Sequence, residues 1–540
     1  MTDPVFAANQ ENTPVRIGGI GENPAHHGQI SLALSGGGYR AMLFHLGALI
    51  RLNELGILHQ ITLISSVSGG SILAGLLALT WPDLRFNADG VAENFETLVV
   101  EPLIGLAQKS IASKIQILLW LLTGQGGNQI PHAYEKLLDS RLKTRIRDLA
   151  IRKNNAGDGH YPTIIFNAIN FQTGARWQFN VRDAKMGDEV YGFYTDHDAT
   201  LSEAIAASGA FPPFLSPLKL NPSGRYKPPH DLKAHQLPSD LRKWRILLGD
   251  GGIQDNLGID SASSRGIILV SDGGKYLNSE FRVGYLLNIT RNLKLYIPFQ
   301  MLRVISLIDH QVRLRRLFEL RHAFQMQSIS DSHPDPDTRH ALRDYSRYGV
   351  YWRMNYQDLI VGDLPEILTK NHLIDISQAV DLANTETGLS GLDPDRIHRL
   401  INLGYLRCAE KILAFLPDHI VTTSDITLHY VNKNQPAAQY SLASALATSL
   451  PSEPHIINAE GVGGILLMAI GAVCAGLGFT GFAWVLQWIG GLIAIACVAL
   501  GLMLLFRHLN SHRYSSKKDT DAPSAPTPQN PVSTSGIHQT

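Results

Sequence analysis

Apolar positions fall into two rhythms that alternate over the first half of the chain. Short, mostly apolar runs at Ile30–Leu34 and 61–65 predict buried strands. Each is followed by a segment with helical spacing. Positions 41–55 (AMLFHLGALIRLNEL) form the first, stopped by Gly56, and 71–80 form the second, ended by Trp81-Pro82. This strand–turn–helix alternation predicts an α/β layer built on a parallel sheet. Further strands are predicted at 161–170, 244–248 and 265–271. A strand at 176–181 is the expected hairpin partner of 161–170, with Thr173-Gly174 near the turn. A helix over 201–210 ends at Phe211-Pro212-Pro213, and the Pro-, Lys- and His-rich stretch 221–243 reads as an exposed loop.

Beyond about position 295 the rhythm becomes helical. Positions 299–324 mix aliphatic residues with Arg303, Arg313, Arg315, Arg316 and Arg321, which predicts a packed helix with a solvated basic face. The stretch 328–339 reads as a Pro/Asp loop, and its acids do not match the spacing of a calcium loop. The run 115–122 is almost wholly apolar and predicts a core helix or a lid over a site.

The far end has a different character. Positions 461–506 carry no charged residue, which is too long for one span of roughly 20 residues and predicts a hairpin of two. Arg507, Arg513, Lys517 and Lys518 follow it, so the positive-inside bias places both ends of the hairpin in the cytoplasm. The expected organisation is an N-terminal extension (1–27), a globular domain (28–425), a linker (426–460), a transmembrane hairpin (461–507) and a polar tail (508–540). Positions 1–28 are polar and lack the apolar core of a secretory signal. The 47 basic and 47 acidic residues cancel, so no basic excess points to nucleic acid. Cys408, Cys474 and Cys497 have neither disulfide-framework nor metal-ligand spacing, and no cofactor is expected.

Two strings carry chemistry. Ser35-Gly36-Gly37-Gly38-Tyr39-Arg40 joins the first strand to its helix, and three glycines let backbone N–H groups turn inward as a cradle for negative charge. Arg40 is placed to hold that loop or add positive potential. The string fits neither Gly-x-x-x-x-Gly-Lys-Ser/Thr nor Gly-x-Gly-x-x-Gly, the two phosphate-loop patterns. Ser66-Val67-Ser68-Gly69-Gly70 approximates the Gly-x-Ser-x-Gly elbow that exposes a nucleophilic serine on a sharp strand-to-helix turn, with Ser66 standing where the first glycine belongs. Ser65, Ser66 and Ser71 compete for the role, but Ser68 alone has small residues two positions away on both sides. A serine needs a base. Two Asp-Gly-Gly strings, at Asp250 and Asp272, are nearly equal by local pattern, and His45, on the helix after the glycine loop, is the nearest histidine.

Together, Gly36-Gly37-Gly38-Tyr39-Arg40, Ser66 to Gly70, the block Ala204-Ile205-Ala206-Ala207-Ser208-Gly209-Ala210-Phe211-Pro212-Pro213 and Asp250-Gly251-Gly252 resemble the patatin-like phospholipase family. The resemblance spans roughly 28–258 strongly and 295–415 more loosely. It implies a three-layer α/β/α fold with a mostly parallel central sheet, to which the transmembrane hairpin would be added. It also implies hydrolysis of lipid acyl esters by a Ser-Asp dyad without a catalytic histidine. Carried over, Ser68 is the nucleophile, Asp250 the base, Gly36, Gly37 and Gly38 the oxyanion hole and Arg40 its support. Asp250 is preferred to Asp272 because Asn256-Leu257-Gly258 follows it, as is typical of the family. The expected substrate is a phospholipid or lysophospholipid at a membrane, and the basic residues of 299–324 gain a lipid-headgroup role as an alternative reading. Two other readings stand beside hydrolysis: acyl transfer between lipids, and a catalytically silent lipid-binding scaffold.

Overall fold

The computed structural model describes residues 29–422, except 114–115, 117–125, 156–159, 213–214, 229–244, 263–265, 276–295, 343–344 and 355–375. The N-terminal extension, most of the apolar run 115–122, the linker, the hairpin and the tail therefore lie outside the described residues. The chain divides into two units at 445/446, and everything described belongs to the first. Among the described residues no helix is long and apolar enough to cross a membrane.

The sheet is mixed. Its parallel half has five strands in the order β11 (Tyr348–Arg353), β10 (Ile267–Asp272), β1 (Ile30–Leu34), β2 (Ile61–Ser66) and β3 (Thr163–Asn170). Strand β1 sits in the middle, with Leu32 opposite Leu269 on one side and Ile64 on the other. All five of its residues are buried, as a strand covered on both faces requires, and four of the five are apolar. The sequence predicts a mostly parallel sheet, but the other half is antiparallel. From β3 the chain runs through β4 (Arg176–Asn180), β5 (Lys185–Asp188), β6 (Gly192–Thr195) and β8 (Arg225–Lys227). The links β3–β4, β4–β5 and β5–β6 are too short for the crossover that parallel neighbours need, so these strands must reverse. Strand β9 (Ile246–Asp250) runs antiparallel to β3, and β7 (Leu218–Leu220) pairs with β9.

Helices lie over the sheet. Helix α1 (Gly38–Glu54) is buried along almost its whole length, and α2 (Gly69–Thr80) is buried throughout. Helix α3 (Gly126–Leu137) packs against α4 (Leu201–Ser208), which is opened by a capping box of Thr200 and Glu203. Helix α5 (Tyr296–Ser332) extends eight residues past the predicted end at 324. The expected Pro/Asp loop at 328–339 is thus largely helical, since Pro336–Leu342 is a helix too. The basic face of α5 is also not uniformly solvated: Arg313 is buried and paired with Asp272, while Arg315 and Arg316 pair with Glu319. Helix α6 (Pro394–Phe415) crosses α1 at close range. A methyl group on Gly47 would lie 1.8 Å from the Ile401 carbonyl oxygen, and one on Gly404 would lie 1.8 Å from that of Phe44.

Candidate active site

The turn after β2 holds Ser68 in a backbone conformation that side chains rarely adopt, φ 49° and ψ −113°. Such a position costs about 1–3 kcal/mol and persists only where neighbours over-determine it. They do so here. Val67 N–H donates to the Leu34 carbonyl at 3.0 Å, and Gly70 N–H to that of Ser35 at 3.2 Å. Ser68 N–H donates to Ser208 Oγ at 3.0 Å.

The rival serines are committed elsewhere. Ser65 Oγ donates to the Gly258 carbonyl at 2.7 Å. Ser66 Oγ donates to that of Ile165 at 3.1 Å and accepts from Ser71 Oγ at 3.0 Å. All three are fully buried, whereas Ser68 is partly exposed and lines a cavity of about 780 Å³. Its neighbours there include Gly36, Gly37, Gly38, Gly69 and Asp250.

Asp250 ends β9 and reaches the turn because β3, the neighbour of β2, also carries β9. Its carboxylate accepts from Gly252 N–H at 2.7 Å, and the neighbouring Ser68 hydroxyl favours its charged form. Burial pushes its pKa up to about 7, against the two neighbours that favour the charged form, and the nearby Asp309 carboxylate adds to the rise. Asp309, on α5, is itself raised by burial, with the Asn256 side chain nearby favouring its charged form. The main chain of Asn256 accepts from Gly36 N–H at 3.0 Å, which ties the glycine loop to the segment that follows β9.

Gly37 and Gly38 take φ values of +144° and +61°, which turn the loop towards the elbow. Among the described residues the N–H groups of Gly37, Gly38 and Gly69 have no acceptor. Unpartnered donors grouped beside a serine are the geometry of an oxyanion site. Gly69 was not singled out by the sequence reading, although the residue after an elbow serine is its usual contributor. Ser208, Asn256 and Asp309 were also missed as individual residues. Ser208 lay inside the recognised alanine-rich block, while Asp309 had no local signal at all.

Arg40 is buried, and its donors are spent on structure. Nε binds the Gly273 carbonyl at 3.1 Å, and Nη1 binds the Thr385 carbonyl at 2.6 Å and Thr387 Oγ1 at 2.9 Å. Burial and the neighbouring Arg313 lower its pKa to about 10, which leaves it charged at neutral pH. His45 is fully buried. Its Nε2 donates to the Ser35 carbonyl at 3.0 Å, and Nδ1 accepts from Ser271 Oγ at 2.7 Å. Burial lowers its pKa to about 4, and it does not line the cavity. Asp272 is bound by Arg313, by Tyr351 Oη at 2.8 Å and by Gly274 N–H at 2.9 Å. It is a structural carboxylate.

Residues 32–263 match the family model of the patatin-like phospholipases. Residues 32–263 thus carry a patatin-like phospholipase domain, and the elbow, the glycine loop and Asp250 all fall within it. Solved structures with similarity include human GIVD cytosolic phospholipase A2, at 13% identity and a TM-score of 0.41, covering 73% of this chain and 60% of that one. VipD from Legionella pneumophila aligns at 13% identity and a TM-score of 0.28, covering 72% and 66%. The SpcU–ExoU complex of the Pseudomonas aeruginosa type III secretion system aligns at 14% identity and a TM-score of 0.20, covering 69% and 70%. The chain spans about three fifths of the human phospholipase. No curated protein matches it.

Proposed function

We propose that the protein hydrolyses carboxyl esters of phospholipids or lysophospholipids through a Ser68–Asp250 dyad, held at its membrane by the apolar 461–507 hairpin. The observation that carries the reading is that Ser68, held in a strained turn, and Asp250 line one cavity beside three unpartnered glycine amides. Asp250 accepts the Ser68 hydroxyl proton as Oγ attacks the ester carbonyl. The Gly37, Gly38 and Gly69 N–H groups stabilise the oxyanion, each worth roughly 3 kcal/mol in comparable sites. Collapse breaks the ester bond, Asp250 returns the proton to the departing alcohol, and an acyl-Ser68 remains. Water attacks this acyl group while Asp250 takes its proton. Fatty acid leaves and Ser68 is restored. No histidine is needed, because a carboxylate with its pKa near neutrality balances basicity against availability.

The test is a lipid-panel assay on the detergent-purified protein. Ser68→Ala and Asp250→Asn should each lower ester hydrolysis by about a thousandfold or more, as loss of a dyad member does. A fluorophosphonate probe should label the wild type and not Ser68→Ala. Full activity in Ser68→Ala would sink the assignment, and an unlabelled, inactive wild type would favour the silent scaffold. Products analysed with and without an acceptor alcohol separate hydrolysis from acyl transfer. Protease access to the tail beyond Arg507 tests the topology.

A further inference from the structure

The segment 385–392 lies well beyond residue 263, where the family match ends, yet Thr387, Gly388, Leu389 and Ser390 line the same cavity as Ser68. It contains no helix or strand, so its backbone groups must find partners outside it. On one edge those partners belong to the site. Tyr39 N–H donates to the Gly388 carbonyl at 3.0 Å. Arg40 Nη1 donates to the Thr385 carbonyl at 2.6 Å and to Thr387 Oγ1 at 2.9 Å. Lys275 Nζ, also from the cavity lining, donates to the Asn384 carbonyl at 3.3 Å. On the other edge the partners follow the helix Glu101–Ala107. Leu392 N–H donates to the Ala107 carbonyl at 2.8 Å, Gly391 N–H to Ser110 Oγ at 2.9 Å, and Ile111 N–H to the Leu389 carbonyl at 2.9 Å. The segment is therefore a strap, bonded along both edges and laid against the glycine loop.

The approach is close. A methyl group on Gly38 would lie 2.4 Å from the Gly388 carbonyl oxygen. That same carbonyl takes the Tyr39 N–H, which fixes the peptide plane following Gly38 and leaves the Gly38 N–H itself for the cavity. Thr387 acts one step further out. It binds Arg40, whose Nε also holds the Gly273 carbonyl at 3.1 Å, so the residue next to Tyr39 is pinned from two sides. Oxyanion stabilisation depends on donors fixed in place before the charge develops. Whatever holds the glycine loop therefore bears on the chemical step and not on substrate capture.

We propose that the strap 385–392 clasps the oxyanion loop, with Thr387 and the Gly388 carbonyl as positioning groups that keep the Gly37 and Gly38 amides aimed at the ester. The proposal rests on the hydrolase reading for the place of the oxyanion. Neither group makes or breaks a bond: Gly388 acts through Tyr39, and Thr387 acts through Arg40. The catalytic unit accordingly extends past the matched domain into the stretch that leads to α6.

Thr387 is exposed, so its substitution spares the core. Thr387→Val keeps the side-chain shape and removes the oxygen that Arg40 binds, and Thr387→Ser restores it. The full-length protein in detergent is assayed with p-nitrophenyl butyrate. Thr387→Val should lower kcat about fivefold with KM unchanged, as loss of one hydrogen bond felt only in the transition state would. Thr387→Ser should recover kcat to within about twofold of the wild type, and the rate of fluorophosphonate labelling should follow kcat in both variants. An unchanged kcat in Thr387→Val would overturn the proposal. So would a raised KM at unchanged kcat, which would make Thr387 a substrate contact, and so would a Thr387→Ser as slow as Thr387→Val. Amide hydrogen exchange reads the clasp without turnover. The Tyr39 N–H should exchange faster in Thr387→Val than in the wild type, and equal protection would overturn the clasp. A wild type that neither hydrolyses nor labels would refute the hydrolase reading, and the exchange measurement would still decide whether the strap holds the loop.

Discussion

At the scale of single residues, Asp250 has the most to explain. Its pKa of about 7 lies far above the ordinary carboxylate value, because burial penalises the charge more than Ser68 and Gly252 relieve it. A base must be ionised, so kcat/KM should rise with pH through about 7. Asp309→Asn removes a neighbouring carboxylate that contributes to the rise, and should move that acidic limb to lower pH. Stability runs the opposite way to activity. A carboxyl whose pKa is raised by folding stabilises the fold fully below its unfolded pKa, and that contribution is lost as pH climbs through the folded pKa. At roughly 1.4 kcal/mol per pH unit, the loss amounts to a few kcal/mol. Asp250→Asn should therefore melt higher than wild type at pH 8 and nearly level with it at pH 4, read by thermal denaturation at both. The proposed dyad can be read from the sequence only by combining strings. Ser66 departs from the elbow pattern for a visible reason: its hydroxyl bridges Ile165 and Ser71, away from the cavity. Asp250 and Asp272 are alike as strings and differ only in partners that arrive from elsewhere in the chain.

At the scale of elements, legibility follows how much of an element's stability is local. Strand β1 has the predicted bounds because all five of its residues are buried and four of them are apolar. Strands β5, β6, β7 and β8 are three or four residues long and exist through pairing with a neighbour, so no run marks them. Helix α5 continues past its predicted end because its polar residues bond along it: Gln327 Nε2 to Asp331 Oδ1 at 2.9 Å, and Ser332 Oγ to the Ser328 carbonyl at 2.9 Å. Asp331 is further held by Tyr348 Oη at 2.7 Å. The α1–α6 crossing was likewise unseen, since it depends on two glycines more than 350 positions apart in the sequence. Gly404→Ala would drive a methyl group into the Phe44 carbonyl of α1, whose first residues belong to the glycine loop. Overpacking of this kind costs about 1–3 kcal/mol. A urea melt should show that loss, while Gly404→Ala labels with a fluorophosphonate at the wild-type rate wherever it remains folded.

At the scale of the whole molecule, the buried Asp272–Arg313 pair joins the sheet to the cavity's far wall. Asp272 ends β10 beside the glycine loop, and Arg313 lies midway along α5, the helix that also supplies Asp309, Arg303 and His310 to the cavity. Both side chains are almost fully buried. Removing one partner of such a pair strands the other charge in a low-dielectric site, at about 3–5 kcal/mol. Asp272→Asn should therefore lower the melting temperature, while Asp250→Asn raises it at pH 8. The two substitutions make identical chemical changes in near-identical strings, and the structure gives them opposite signs. Their effects on catalysis diverge as well. Asp272→Asn, assayed well below its melting point, should keep fluorophosphonate labelling of Ser68, because the base and the oxyanion donors are untouched. If Asp272→Asn instead abolished labelling in a folded protein, the division between a chemical carboxylate and a structural one would be wrong, and Asp250 would lose its claim as the sole base.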